Sequence, residues 1–172
     1  IETHVGDDMD SSRRYNIPEA LGDMSSLIEL YIVACEHVTG VLPSSLSKLT
    51  NLKHLEIRDN INMDASPIPE GVGELQELRI LVLDNCNFLG DLPQCIGRLK
   101  RLAKLSIQNN KDLTGNIPIT LPTTCEKLHD GTSVSSMAIK LKDLKSAFGY
   151  AAVFNHVIFA YFDLFTYFVA IC

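Results

Sequence analysis

One frame returns four times along this chain, and it restricts the possible folds more than any other feature. It reads LIELYIVAC at 27–35, LKHLEIRDN at 52–60, LRILVLDNC at 78–86 and LAKLSIQNN at 102–110. Its central leucines, Leu30, Leu55, Leu81 and Leu105, are 25, 26 and 24 residues apart. A second motif keeps step with the first: NIPEALGDM, VLPSSLSKL, PIPEGVGEL and DLPQCIGRL, then NIPITLPTT, which loses the glycine and the final leucine. Two sub-patterns that hold register at such a period specify a solenoid, in which each unit buries its apolar face only against its neighbours.

Each position has a physical reason. Leu30 and Ile32 are two residues apart, so in a strand both enter the core from one side. Where the chain leaves the strand it bends inward, and buried backbone groups there need partners. An amide side chain supplies donors and an acceptor together. Asn60 and Asn110 hold that position, and Cys35 and Cys86 hold it in the other two coils. Gly40, Gly90 and Gly115 permit a tight return, and the prolines after Leu42, Ile68, Leu92 and Ile117 end ladder pairing. Ser66 stands in the glycine position of coil 2, behind the extra residues INMDAS, which predicts a local bulge.

The frame L-x-x-L-x-L-x-x-N/C with an L-x-G-x-I/L-P-x-x-L-G-x-L half resembles the plant-type leucine-rich repeat of receptor-like proteins and receptor-like kinases, over about Ile17 to Leu121. The resemblance implies an α/β-type repeat solenoid: a short arc with a parallel concave sheet, turns and 3-10 segments on the convex side, and a C-terminal helix. The predicted organisation is an acidic N-terminal segment over 1–16, about four coils over 17–121, a linker or degenerate repeat over 122–146, and a hydrophobic helix over 147–172. The first residue is Ile, which suggests a fragment or a processed product.

A net charge of −6 and no basic cluster with interleaved aromatics argue against nucleic acid. The five cysteines are widely spaced and include no C-x-x-C, so neither a disulfide framework nor a zinc ribbon is indicated. Cys35 and Cys86 lie two strands apart, roughly 10 Å at the ladder spacing, beyond disulfide reach. Both are expected as free core thiols. No phosphate-binding loop, nucleophile elbow or zinc-protease motif occurs. The run Asn60, Asn62, Asp64 fails as a calcium loop, with Ala65 in the required glycine position. Cys125 and His129 supply only two metal ligands. The chain is expected to be no enzyme and to need no cofactor or metal.

Residues between the core positions face the concave side: Glu29, Tyr31 and Val33; His54, Glu56 and Arg58; Ile80, Val82 and Asp84; Lys104, Ser106 and Gln108. In the columns, Tyr31, Val33, Ile80 and Val82 suggest an apolar centre rimmed by charge, the usual anatomy of a recognition patch. Tyr31 is the foremost anchor candidate. The function expected is a non-catalytic protein- or peptide-binding module in plant signalling or defence, the last part by resemblance. The alternative is a membrane-anchored or cytosolic scaffold whose hydrophobic tail is the working end.

That tail changes character from the repeats. As a helix, 147–172 would span about 39 Å, enough to cross a bilayer, against which stand Asn155, His156 and Asp163. Three readings remain open: a membrane helix, a cap on the last coil, or a tail foreign to the family. Lys140, Lys142 and Lys145 before it would place the repeats in the cytosol if it spans. The resemblance implies extracellular repeats, yet no N-x-S/T sequon, paired-cysteine cap motif or Trp is present. Localisation is expected to be membrane-associated with the side open, or else soluble outside or inside the cell.

Overall fold

The computed structural model describes residues 14–135. They belong to the first of two compact units, Ile1–Ser135 and Ser136–Cys172. The predicted helix over 147–172 lies outside the described residues. Among the described residues, no helix is long and apolar enough to cross a membrane.

The strands run β1 (Tyr15–Asn16), β2 (Glu29–Val33), β3 (Val38–Thr39), β4 (His54–Arg58), β5 (Ile80–Asp84), β6 (Leu89–Asp91), β7 (Lys104–Ser106), β8 (Asp112–Thr114) and β9 (Glu126–Leu128). Five of them form a parallel sheet in the order β2-β4-β5-β7-β9. Its register places Leu30 opposite Leu55, Leu55 opposite Leu81 and Leu81 opposite Leu105, as the sequence period requires. These leucines are buried in one core with Ile57, Leu83 and Ile107. Opposite the sheet, 3-10 turns over Glu19–Asp23, Ser44–Lys48, Glu70–Glu74 and Gln94–Arg98 each follow a proline. Short parallel pairs, β1 with β3 and β6 with β8, plus bridges Ser66–Phe88 and Asn116–Ser135, join the coils along a second line.

The predicted asparagine positions carry the inter-coil polar ladder. Asn60 Oδ1 accepts from the Cys35 N–H at 2.9 Å, and its Nδ2 donates to the Ile32 carbonyl at 2.8 Å. Asn110 Oδ1 accepts from the N–H groups of Cys86 and Phe88, and its Nδ2 donates to Leu83 O at 2.7 Å. Cys86 instead donates its thiol to Asp84 O and Ile57 O. The residue before each ladder position has positive φ: Ala34, Asp59, Asn85 and Asn109, at 51–59°. Gly131, at φ 72°, packs against Asn109 one coil on.

The stretch 122–135 contributes β9, which pairs with β7. Its register sets Lys127 opposite the core residue Leu105, and Lys127 Nζ donates to Cys125 O at 2.9 Å. The extra residues of coil 2 put Met63 into the core, and Ser66 holds the second line by its bridge to Phe88.

The convex turns approach so closely that a glycine recurs at each junction. A Cβ on Gly73 would stand 2.6 Å from Cys95 Cβ, and Gly22 and Gly97 meet Ser45 and Thr120 in the same way. In coil 2 the corresponding residue is Ser47, and there the next coil supplies the glycine: a Cβ on Gly71 would lie 2.8 Å from Ser47 Cβ. Glu19 adds a polar tie between the first two coils. Its carboxylate accepts the N–H groups of Ser44 and Ser45 at 3.0 and 2.9 Å, which satisfies free donors at the start of the next turn. The hydrogen bond from the Ser45 backbone is the main reason its pKa lies below the ordinary glutamate value.

Candidate functional site

The outward face of the sheet presents three rows across the strands. Glu29, His54, Ile80 and Lys104 form the first, Tyr31, Glu56, Val82 and Ser106 the second, and Val33, Arg58 and Asp84 the third. Gln108 lies just beyond the end of β7, where its N–H donates to Asp84 at 2.7 Å. The twelve residues picked out by spacing therefore share one surface, but they do not contribute equally to it.

Val82 is 7% and Ser106 1% exposed. Both are short side chains set between strand neighbours about 4.8 Å away, with longer residues on the same face. The Ser106 hydroxyl donates to both carboxylate oxygens of Asp84 at 2.8 Å. The expected apolar centre is also divided. Tyr31 and Val33 are on β2 and Ile80 and Val82 on β5, while the intervening β4 carries His54, Glu56 and Arg58. Columns read coil by coil place these residues on one face, and the strand order then inserts a charged strand between them.

β2 and β4 are joined instead by a polar chain. Tyr31 Oη lies 3.1 Å from Glu29 Oε2 and 3.1 Å from His54 Nδ1, and the two rings are 4.6 Å apart, tilted by 52°. His54 Nε2 is 3.1 Å from Glu56 Oε2, and Arg58 Nε donates to Glu56 Oε1 at 2.6 Å. Arg58 also donates to Asp59, which accepts from Asn85 Nδ2 one coil on. Loss of hydration raises the Tyr31 pKa first, helped by its bond to Glu29. The hydrogen bond and charge of Glu56 hold Arg58 more firmly protonated than usual. Such an array fixes side-chain positions before a ligand arrives, which reduces the ordering cost of binding.

Asp59, Asn85 and Asp130 escaped the sequence reading because they follow the strands; Asp130 accepts from Gln108 Nε2 at 3.3 Å. The signal of Asp59 and Asn85 is the same period displaced by one position, whereas Asp130 continues the row of Asp84 and Gln108. At the β2 edge, Ile17, Leu21, Leu30, Ile32 and Val38 line an apolar groove of about 960 Å³ that reaches Tyr31 and Arg58.

Among the described residues, Cys86, Cys95 and Cys125 are not activated nucleophiles. Cys35, Cys86, Cys95 and Cys125 are free thiols, though Cys35, in the first coil, is only half-buried. Burial pushes the pKa of Cys86 and Cys125 up, and that of Cys95 to about 11. Among the described residues, no cluster of His, Cys, Asp or Glu could hold a metal.

Comparison with known proteins agrees with this architecture. A family model described as Leucine Rich Repeat matches residues 77–99. Receptor-like protein 39 of Arabidopsis thaliana is 35% identical over 89 residues, which is 51% of this chain and 10% of that protein. The chain thus spans about a tenth of the length of the curated receptor-like relatives it matches. Among solved structures, the repeat ectodomain of the receptor kinase SOBIR1 from Arabidopsis thaliana superposes with a TM-score of 0.64 at 25% identity, covering 73% of this chain and 67% of that one. The PEPR1–AtPEP1 complex gives 0.60 at 29% identity, covering 71% of this chain and 17% of that one. The described residues form a leucine-rich-repeat solenoid, similar to the repeats of plant receptor-like proteins and receptor kinases.

Proposed function

We propose that this chain is a non-catalytic module that binds a protein or peptide on the concave sheet, in plant signalling or defence. The observation that carries the reading is the bonded chain Glu29–Tyr31–His54–Glu56–Arg58–Asp59 on that face, held in place yet accessible, with Tyr31 39% exposed. A tyrosine fixed by partners and an arginine with donors to spare are the side chains most often found at the centre of binding sites. The similarity to the Arabidopsis receptor kinase HAESA, solved in complex with the peptide hormone IDA, supports a peptide as the kind of ligand.

The test is selection of peptides from a displayed random library on the full chain, followed by rebinding to a Tyr31→Ala/Arg58→Ala variant. Peptides that use this surface lose at least tenfold in affinity on the variant and none on Arg101→Gln, a substitution outside the concave rows. Equal binding to both variants refutes the concave-face reading.

A further inference from the structure

We infer that Lys53, Arg79 and Lys104 form a docking strip for an acidic segment of a protein ligand, along the rim where the chain enters the strands. The inference rests on the concave sheet being the ligand-facing surface, and it adds the chemistry that one edge of that surface selects.

The three residues are neighbours through the backbone. Lys53 O accepts the N–H groups of Arg79 at 2.8 Å and of Ile80 at 3.1 Å. Arg79 O accepts those of Ala103 at 2.8 Å and of Lys104 at 3.1 Å. Lys53 and Arg79 are exposed, and Lys104 is half-buried beside Ile80 in the first row of the sheet. Three cations thus stand on three successive coils, with Ile80 as an apolar element among them.

Among the described residues, none of the three side chains has a hydrogen-bonding or ionic partner, and this sets them apart. Lys48 pairs with Asp23, Arg58 with Glu56 and Asp59, Arg98 with Glu74, and Arg101 with Glu77. Arg14, Lys100 and Lys127 donate to backbone carbonyls. The one other described cation without a partner is Lys111, which lies away from the strip. Of the neighbouring acids, Glu77 is held by Arg101, and Glu126 stands in register with Lys104 at one end of the strip without forming an ion pair with it.

Lys53 and Arg79 hold equivalent positions in successive coils, with Lys104 one residue further along the next coil, and like charges set side by side repel one another. An anionic ligand removes that repulsion. Three strands span about 10 Å, the length of roughly three extended residues, so one short acidic stretch crossing the strands can meet all three cations. Rim charges of this kind act chiefly on association rate and on choice of partner.

Fluorescently labelled hexaglutamate, with hexalysine as control, is the direct probe on the full chain, read by anisotropy at low and moderate salt. Hexaglutamate should bind the unsubstituted chain, weaken as salt rises, and lose at least tenfold in affinity on Lys53→Gln/Arg79→Gln/Lys104→Gln. Lys111→Gln should bind as the parent does. Arg79→Glu alone, a single exposed change, should already reduce binding severalfold. Equal binding by the triple variant and the parent overturns the strip. If library peptides still depend on Tyr31 and Arg58 in that case, the concave-face reading survives without it. Tighter binding to phosphatidylserine vesicles than to hexaglutamate also overturns the assignment, in favour of a lipid surface.

Discussion

Asn110→Ala should be the most damaging single substitution in the ladder. The side chain is 1% exposed and accepts two backbone N–H groups, from Cys86 and Phe88, each at 3.1 Å. Its amide donates to Leu83 O, Ile107 O and Gln108 O. Truncation leaves two buried donors without partners, at roughly 1–3 kcal/mol each. The carbonyls lose less, because under-satisfied acceptors are better tolerated than orphaned donors. A water entering the polar gap would recover part of the loss, so the expected cost is about 2–4 kcal/mol. Asn60→Ala should cost less, since it orphans one N–H, that of half-buried Cys35. Asn110→Cys should fall between parent and Asn110→Ala, because a thiol can donate to carbonyls, as Cys86 does, without serving the two amides. Urea unfolding of the full chain followed by circular dichroism gives the order. Hydrogen exchange should show fastest opening at Cys86 and Phe88. A cost below about 0.5 kcal/mol for Asn110→Ala, or one no larger than that of Asn60→Ala, would refute the argument from orphaned donors.

Gly71→Ala should destabilise by about 1–3 kcal/mol through overpacking, and Ser47→Gly in the same chain should restore most of it, as a double-mutant cycle in urea would show. Ala34 has φ of 51° without the glycine or amide side chain that favours this region. Ala34→Asn should therefore raise the unfolding free energy by about 0.5–1 kcal/mol, and an unchanged or lower midpoint would count against it. For Glu19 the folded pKa is depressed, so its tie to the second coil contributes above the unfolded glutamate value and is lost as pH falls through the lower folded value. Glu19→Gln should flatten the acid limb of a plot of thermal midpoint against pH while leaving the neutral side shallow.

Much of the fold was legible because the repeat leucines are a matter of period, and the register of β2, β4, β5 and β7 follows that period residue by residue. The roles of Asn60 and Asn110 were legible too, since a buried turn needs a donor and an acceptor in one side chain. The fifth strand was not. Cys125 replaces the expected leucine, and the register places Lys127 opposite Leu105, so hydrophobic spacing carries no signal there. On the concave face, spacing could assign Val82 and Ser106 to the right side of the sheet but not their exposure, which depends on the reach of cross-strand neighbours. The unpaired state of Lys53, Arg79 and Lys104 is likewise a property of where the acids point.

The single glycine at each convex junction has a further consequence, for how such a chain can change over generations. Gly22 faces Ser45, Ser47 faces Gly71, Gly73 faces Cys95 and Gly97 faces Thr120. The coils are therefore not interchangeable bricks. A duplication that set coil 2, with Ser47, before a coil bearing serine or cysteine at the facing position would force two side chains into room for one. Deleting coil 2 would instead join Gly22 to Gly71 and leave a gap. Unequal recombination among these repeats is thus filtered by a complementarity of size, one that compares a residue with its counterpart 22 to 24 positions later.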